Sequence, residues 1–165
     1  MKVFSRYLLI ITLVFSLFAC TAKENIPSST TIANDDQLAL NALVDFLESL
    51  HAGKYDEAAQ FYGGTYEIMI NHNPDIAPQD HAALLRNACT INGAQCLQVR
   101  STGLEEKISD TEFTFKVEFQ NADGSLFVIG SCCGEEETEA LYHSIFSFRV
   151  SKNAEGNFQV MDMVP

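Results

Sequence analysis

Apolar residues recur at three- and four-residue spacing in the first half of the chain, which is the pattern of amphipathic helices. Between Asn34 and Gly53 they form one broad stripe, so a first helix is predicted there, capped by Asn34 or Asp35 and ended by Gly53. The stripe consists of Leu38, Ala39, Ala42, Leu43, Phe46, Leu47 and Leu50. Shorter helices are predicted over residues 55–62 and 79–89. The inward positions of the last helix are Ala82, Leu85 and Cys89.

Alternation of apolar and polar residues marks the second half of the chain and predicts strands. The clearest strand covers residues 111–120, in which every second residue is apolar. Its apolar positions are Phe113, Phe115, Val117 and Phe119. Further strands are predicted over residues 96–101, 125–129, 142–150 and 157–163.

Helices followed by strands indicate an α+β fold. We predict three N-terminal helices packed on a curved antiparallel sheet, whose charged outer face remains in water. Gly124 and Gly156 stand at two predicted hairpin turns, where glycine accepts the positive φ that such turns require. Residues 65–70 fit a helix and a strand equally well, so the sequence leaves their structure open.

The N-terminus has the pattern of an export signal. Lys2 and Arg6 give it a positive start. The uncharged apolar run at 7–18 that follows is about a dozen residues long, whereas a bilayer-spanning helix needs roughly 20. A cleaved signal segment is therefore favoured over a permanent membrane span.

Leu17-Phe18-Ala19-Cys20, directly after the apolar run, resembles the lipobox of bacterial lipoproteins. The resemblance implies cleavage before Cys20 and lipid attachment to it, which anchors the chain at the outer side of a cell membrane or outer membrane. An ordinary signal peptide followed by an unrelated cysteine is the alternative. The predicted organisation is a signal segment at 1–19, a lipidated Cys20 with a polar tether at 20–33, and one domain at 34–165.

Two segments of the predicted domain carry a second resemblance. They are GKYDEAAQFY at 53–62 and NFQVMDMVP at 157–165. With the order of helices and strands, they resemble the NTF2-like, or cystatin-like, α+β cone over residues 35–165. That superfamily includes isomerases, dehydratases and cyclases alongside non-catalytic binding modules, so the resemblance implies a fold and assigns no chemistry.

The charge excludes one class of partner. The chain has 22 acidic and 10 basic residues, and cleavage would remove two of the bases, Lys2 and Arg6. A nucleic-acid partner is not expected, because phosphate binding needs clustered Lys and Arg. The Glu135–Glu137 run with Glu139 is interpreted as a solvated loop, with a loose cation site as the alternative. We predict no cofactor.

Enzymes of the NTF2-like fold place acid/base groups inside the cone, so we considered the residue types suited to that role. The candidates are Asp45, Tyr62, Tyr66, His72, His143 and Asp162. We expect Asp45 and the histidines to face water and the two tyrosines to be core aromatics with hydrogen-bonded hydroxyls. No diagnostic pairing is present, so a non-catalytic domain for a small apolar ligand or an envelope protein is predicted. An isomerase- or dehydratase-like enzyme is the alternative.

The cysteines predict disulfides. Lipidation of Cys20 leaves an even set of four in an oxidising compartment, and three complete pairings are possible. Cys89 ends a helix and Cys96 opens a strand across a short turn, so this local pair is preferred, with Cys132–Cys133 as a weaker companion. Cross-bridges between the two pairs are the alternative. A zinc site is not predicted, because adjacent cysteines lack the usual ligand spacing.

Overall fold

The computed structural model describes residues 34–130 and 142–165, and this part of the chain forms four helices and a four-stranded antiparallel sheet. The helices are α1 (Asp35–His51), α2 (Tyr55–Phe61), α3 (Glu67–His72) and α4 (His81–Thr90). The strands, in their order across the sheet, are β1 (Gln98–Lys107), β2 (Glu112–Gln120), β3 (Phe146–Lys152) and β4 (Phe158–Val160). The predicted α+β class with a curved antiparallel sheet is therefore confirmed.

Helix α1 is the central helix of the domain. The side chain of Asn34 caps it by accepting a hydrogen bond from the backbone N–H of Gln37, as predicted. Its buried apolar residues are Ala39, Ala42, Leu43, Phe46, Leu47 and Leu50. Leu38 was predicted to face inward and is instead 43% exposed, because it lies on the side of the helix that carries Asn41 and Asp45.

Strand β2 supplies the centre of the sheet. Phe113, Phe115, Val117 and Phe119 are each at most 1% exposed, which confirms the predicted alternation. In the antiparallel register, Phe115 pairs with Leu104 of β1 and with Phe148 of β3. Helix α1 contacts all four strands. The apolar faces of α1 and β2 belong to a single hydrophobic core.

The outer face of the sheet is a polar network, as predicted for a face left in water. Glu105 accepts a hydrogen bond from the Ser147 hydroxyl at 2.7 Å and lies 3.6 Å from the ammonium of Lys116. Arg149 pairs with Glu112 across β2 and β3 at 3.8 Å. Such exposed pairs each contribute little stability, but they satisfy charges on neighbouring strands.

The structure corrects the predicted helices in two places. Residues 65–70, which the sequence left open, mostly belong to the short helix α3. Helix α4 begins at His81, two residues later than predicted, because the Asp80 carboxylate caps it by accepting a hydrogen bond from the Ala83 N–H at 3.1 Å. Its buried residues are Leu84, Leu85 and Ala88, whereas Ala82 and Cys89 are only partly buried.

The predicted strand at 125–129 is wrong. Only isolated bridges occur there, from Leu126 to Gln120 and from Ile129 to His143. Strand β2 pairs with β1 along one edge and with β3 along most of the other edge. Residues 125–129, which follow the hairpin turn, can therefore pair only with the end of β2.

The boundaries of the other strands also differ from those predicted. Strand β1 starts at Gln98 rather than at residue 96 and continues to Lys107, with two register shifts along β2. Strand β3 begins at Phe146 rather than at residue 142, and β4 has only three residues. The register shifts break the alternation of β1, which is why its second half carried no strand pattern.

Cys89 and Cys96 form a disulfide, with their Cα atoms 5.6 Å apart, and this confirms the preferred pairing. The bond joins the last turn of α4 to the segment that leads into β1. The predictions for Cys20 and for the Cys132–Cys133 pair lie outside the described residues.

Replacing Phe115 by alanine should lower the free energy of unfolding by about 3 to 5 kcal/mol, because it leaves a cavity at the centre of the core. Lys116→Ala is the matched control, since its side chain lies on the outer face and should cost less than about 1 kcal/mol. Chemical denaturation measures both. Equal losses in the two variants would contradict the assignment of inner and outer faces.

The double variant Cys89→Ser/Cys96→Ser should unfold with a free energy about 2 kcal/mol lower than the parent, because the disulfide restricts a short loop in the unfolded chain. Denaturation of both proteins under non-reducing conditions measures the difference. An unchanged free energy of unfolding would show that this bond does not stabilise the domain.

Candidate functional site

The interior between α1 and the sheet is filled with side chains. The largest buried ones are Phe46, Phe113, Phe115, Phe119 and Phe148. Their rings contact one another, as in the edge-to-face pair of Phe119 and Phe148 with centroids 6.1 Å apart. Apart from tyrosines, the buried polar side chains among the described residues are those of Ser49 and Asn73.

A row of aromatic rings leads from this core towards the surface. Phe46 stacks on Tyr62 at 5.5 Å between ring centroids, and Tyr62 meets Tyr66 edge-on at 5.0 Å. Tyr66 in turn stacks on the exposed His81 at 4.0 Å. Gly64 makes this arrangement possible, because a Cβ there would lie 2.6 Å from the Tyr62 ring.

The two tyrosine hydroxyls differ in their surroundings. The Tyr62 hydroxyl donates a hydrogen bond to the Thr65 carbonyl at 3.2 Å, as predicted. Burial, with a smaller effect of the Asp162 charge, raises its pKa. The Tyr66 hydroxyl is buried and has no hydrogen-bond partner in the described part of the chain, so the prediction for it was wrong. Burial and the neighbouring Tyr62 raise the pKa of Tyr66 to about 12.

Packing accounts for the position of the Tyr66 ring, because Tyr62 and His81 hold it from two sides. Sequence reasoning missed His81 as a member of this row. The residue opens α4 directly after its cap, far along the chain from Tyr66, and no local spacing connects the two positions.

The structure does not bring the remaining acid/base candidates together. Asp45 lies exposed on α1, and His72 is exposed at the end of α3, both as predicted. His143 is exposed at its bridge to Ile129. The Asp162 carboxylate accepts a hydrogen bond from the backbone N–H of Arg149 at 2.6 Å. Within residues 34–130 and 142–165, no cluster of His, Cys, Asp and Glu is arranged to hold a metal ion.

Buried Asn73 has a structural role. Its amide donates to the Met69 carbonyl at 2.7 Å and to the Asn92 side chain at 2.9 Å, and its oxygen accepts from the Asn87 amide. All these bonds are made within the protein, so they fix α3 against α4 and the turn before β1 and leave no polar group for a ligand.

Three grooves on the surface of the described residues are large enough for small ligands. The first, called the amide groove here, has a volume of about 490 Å³ and lies between α1, the end of α2 and the β3–β4 hairpin. Its polar lining residues are Asn41, Asp45, Gln60, Asn153, Glu155, Asn157 and Gln159. The second has a volume of about 340 Å³ and a mostly apolar lining. It is lined by Ile129, His143, Ile145, Phe146, Ser147, Phe148, Met163 and Pro165. The third has a volume of about 410 Å³ and is lined by Asp45, Glu48, Ser49, His51, Ala52, Lys54, Glu57 and Gln98.

Comparison with known proteins assigns no relatives: no family model matches this chain, and no curated protein matches it. In the part of the chain that the structure describes, no helix is long and apolar enough to cross a membrane. The function must therefore be inferred from the chemistry of the interior and of the grooves.

Tyr66→Phe should raise the free energy of unfolding at neutral pH by about 1 kcal/mol, because it removes a buried hydroxyl that makes no hydrogen bond. Tyr62→Phe should lower it by a similar amount, since it deletes the bond to Thr65. Thermal or chemical denaturation of the pair measures the contrast. A loss of stability in Tyr66→Phe would mean that the hydroxyl has a partner.

Alkaline pH provides a separate test of Tyr66. Its folded pKa of about 12 lies above the ordinary tyrosine pKa of 10.0, so the fold favours the neutral phenol. This contribution to stability is complete below pH 10 and is lost as the pH rises towards 12. Tyr66→Phe should lose less stability in that interval than the parent, as followed by denaturation at several pH values. Identical pH profiles would contradict the burial of the hydroxyl.

Proposed function

We propose that the protein is a lipid-anchored binding module on the outer side of a bacterial membrane. The motif Leu17-Phe18-Ala19-Cys20, after a positive start and a short apolar run, supports cleavage before Cys20 and lipidation there. The polar, Ser/Thr-rich segment 21–32 is suited to act as a tether for the domain.

The disulfide supports the extracytoplasmic part of this proposal. Cys89 and Cys96 are bonded, and protein disulfides persist mainly in oxidising compartments such as the periplasm or the cell surface. A lipoprotein exported before folding would acquire this bond outside the cytoplasm. Export and the disulfide therefore point to the same location.

The observation that carries the binding part of the proposal is the filled interior. We assign the domain to the NTF2-like cone as part of this proposal, and enzymes of that fold hold their substrates inside. Here that space contains large apolar side chains such as Phe46 and Phe115, each at most 1% exposed. We therefore propose that a ligand binds at the surface, where the grooves have room for it without any rearrangement of the core side chains.

An isomerase- or dehydratase-like enzyme is the competing function. It would need an acid or base placed against its substrate. The tyrosine with the most strongly raised pKa, Tyr66, lies between Tyr62 and His81 and lines none of the three grooves. Tyr66 is therefore not placed to act as an acid or a base on a substrate bound in one of these grooves.

Mass spectrometry of the N-terminal peptide tests the anchor. The mature chain should begin at Cys20 and carry the mass of attached lipid. Cys20→Ser should move the protein from the membrane to the soluble extracytoplasmic fraction while the domain at 34–165 stays folded, because the tether separates anchor and core. Cys89→Ser serves as the matched control, since it removes a cysteine but leaves the anchor.

Recovery of a chain that begins elsewhere, or of an unmodified Cys20, would contradict lipid anchoring. Membrane association that persists in Cys20→Ser would contradict it as well. Mass spectrometry gives the first result and membrane fractionation the second, with circular dichroism of the soluble fraction as the check on folding.

A further inference from the structure

The amide groove has one wall made by a single side of α1. Leu38, Asn41 and Asp45 are spaced by three and four residues, so their side chains project towards the same side of the helix. The opposite wall is the β3–β4 hairpin, including its turn residue Asn157 and Gln159 of β4. The groove therefore lies between a helix and a short edge strand, and the regular backbone of each sets the spacing of the side chains that line it.

The groove is apolar at its base and polar along its rim. Ala42 and Phe158 are 7% and 6% exposed and form part of the base, together with the half-buried Phe61. Leu38, 43% exposed, extends the apolar surface up one wall. The apolar stripe of α1 predicted that this leucine would be buried. It is exposed instead because it lines the groove.

Several polar groups at the rim are available to a ligand. The side chains of Asp45, Gln60, Asn157 and Gln159 make no hydrogen bond to another residue in the described part of the chain, and all four line the groove. Each amide offers both donors and an acceptor, and the carboxylate offers acceptors only. The rim therefore suits a ligand whose groups both donate and accept hydrogen bonds, as hydroxyl groups do.

The charge of the groove excludes anions. Asp45 and Glu155 line it, and no Lys, Arg or His does so among the described residues. The ammonium of Lys152 lies 4.8 Å from the ring centroid of Phe158, but it is paired with the Asp35 carboxylate at 2.8 Å. A phosphate or a carboxylate would be repelled without compensation.

We propose that the amide groove binds a neutral saccharide, an inference that rests on the proposed binding function and specifies its ligand. A sugar ring has an apolar C–H face, which suits the apolar surface offered by the exposed Leu38 and the half-buried Phe61, and an edge of hydroxyls, which suits the amide rim. The groove volume of about 490 Å³ lies within the range of small-molecule sites.

Isothermal titration calorimetry of the full chain, purified in a detergent without a sugar headgroup, tests this proposal. The probes are cellobiose, maltose and N,N′-diacetylchitobiose as neutral disaccharides, with glucose 6-phosphate and tetralysine as charged competitors. At least one neutral disaccharide should bind in the millimolar range or tighter. Glucose 6-phosphate should not bind.

Asp45→Ala and Gln60→Ala should each weaken that binding by about ten-fold, the usual effect of losing one hydrogen bond to a ligand. Both positions are exposed on helices, where alanine is well tolerated. Gln98→Ala is the matched control, because this exposed amide lines a neighbouring groove and its loss should leave the affinity unchanged.

Failure of all three disaccharides to bind, binding of tetralysine alone, or equal affinity in the groove variants would overturn the saccharide assignment. The proposed function is tested separately by the mass of the Cys20 peptide from the same preparation. Cleavage of a disaccharide during the titration, with binding lost in Asp45→Ala, would contradict a non-catalytic role yet support the ligand class.

Discussion

The packing of α1 against the inner face of β2 is the interaction on which the rest of the structure depends. A slip of β2 by one residue would turn its phenylalanines to water and its charged residues towards α1, so this contact fixes the register of the sheet. It also decides where polar groups can lie. Glu105, Lys116 and Ser147 form a hydrogen-bonded and ionic network on the outer face because the inner face is taken by the core.

The same contact places the proposed function at the surface. Large rings such as Phe46 and Phe115 fill the space between α1 and the sheet and leave no room for a ligand there. The aromatic row that ends at His81 extends this packing to the surface, and Tyr66 within it has a buried hydroxyl without a partner in the described residues. What remains open are grooves at the surface, among them the amide groove with its apolar base and its rim of amides and carboxylates.

The sequence predicted those features that depend on local spacing. Periodicity sufficed for α1 and β2, and two cysteines on either side of a short turn sufficed for the Cys89–Cys96 bond. The failures lie where neighbours distant in the chain decide the outcome. Residues 125–129 have strand-forming side chains but find most of β2 already paired, and Leu38 is exposed because its side of α1 faces the groove. The amide groove is formed by α1, the end of α2 and the β3–β4 hairpin, which are distant in the chain, so no local sequence motif predicts it.

The central claim is that the interior of the domain is closed to ligands. Aromatic-ring NMR spectra of the folded protein, recorded while benzene or xenon is added, test it directly, because these probes enter apolar cavities that have room for them. We expect the ring resonances of Phe46, Phe113, Phe115 and Phe119 to stay unchanged as the probe is added. A saturable shift confined to these rings would reveal a pocket between α1 and the sheet and would contradict a closed interior.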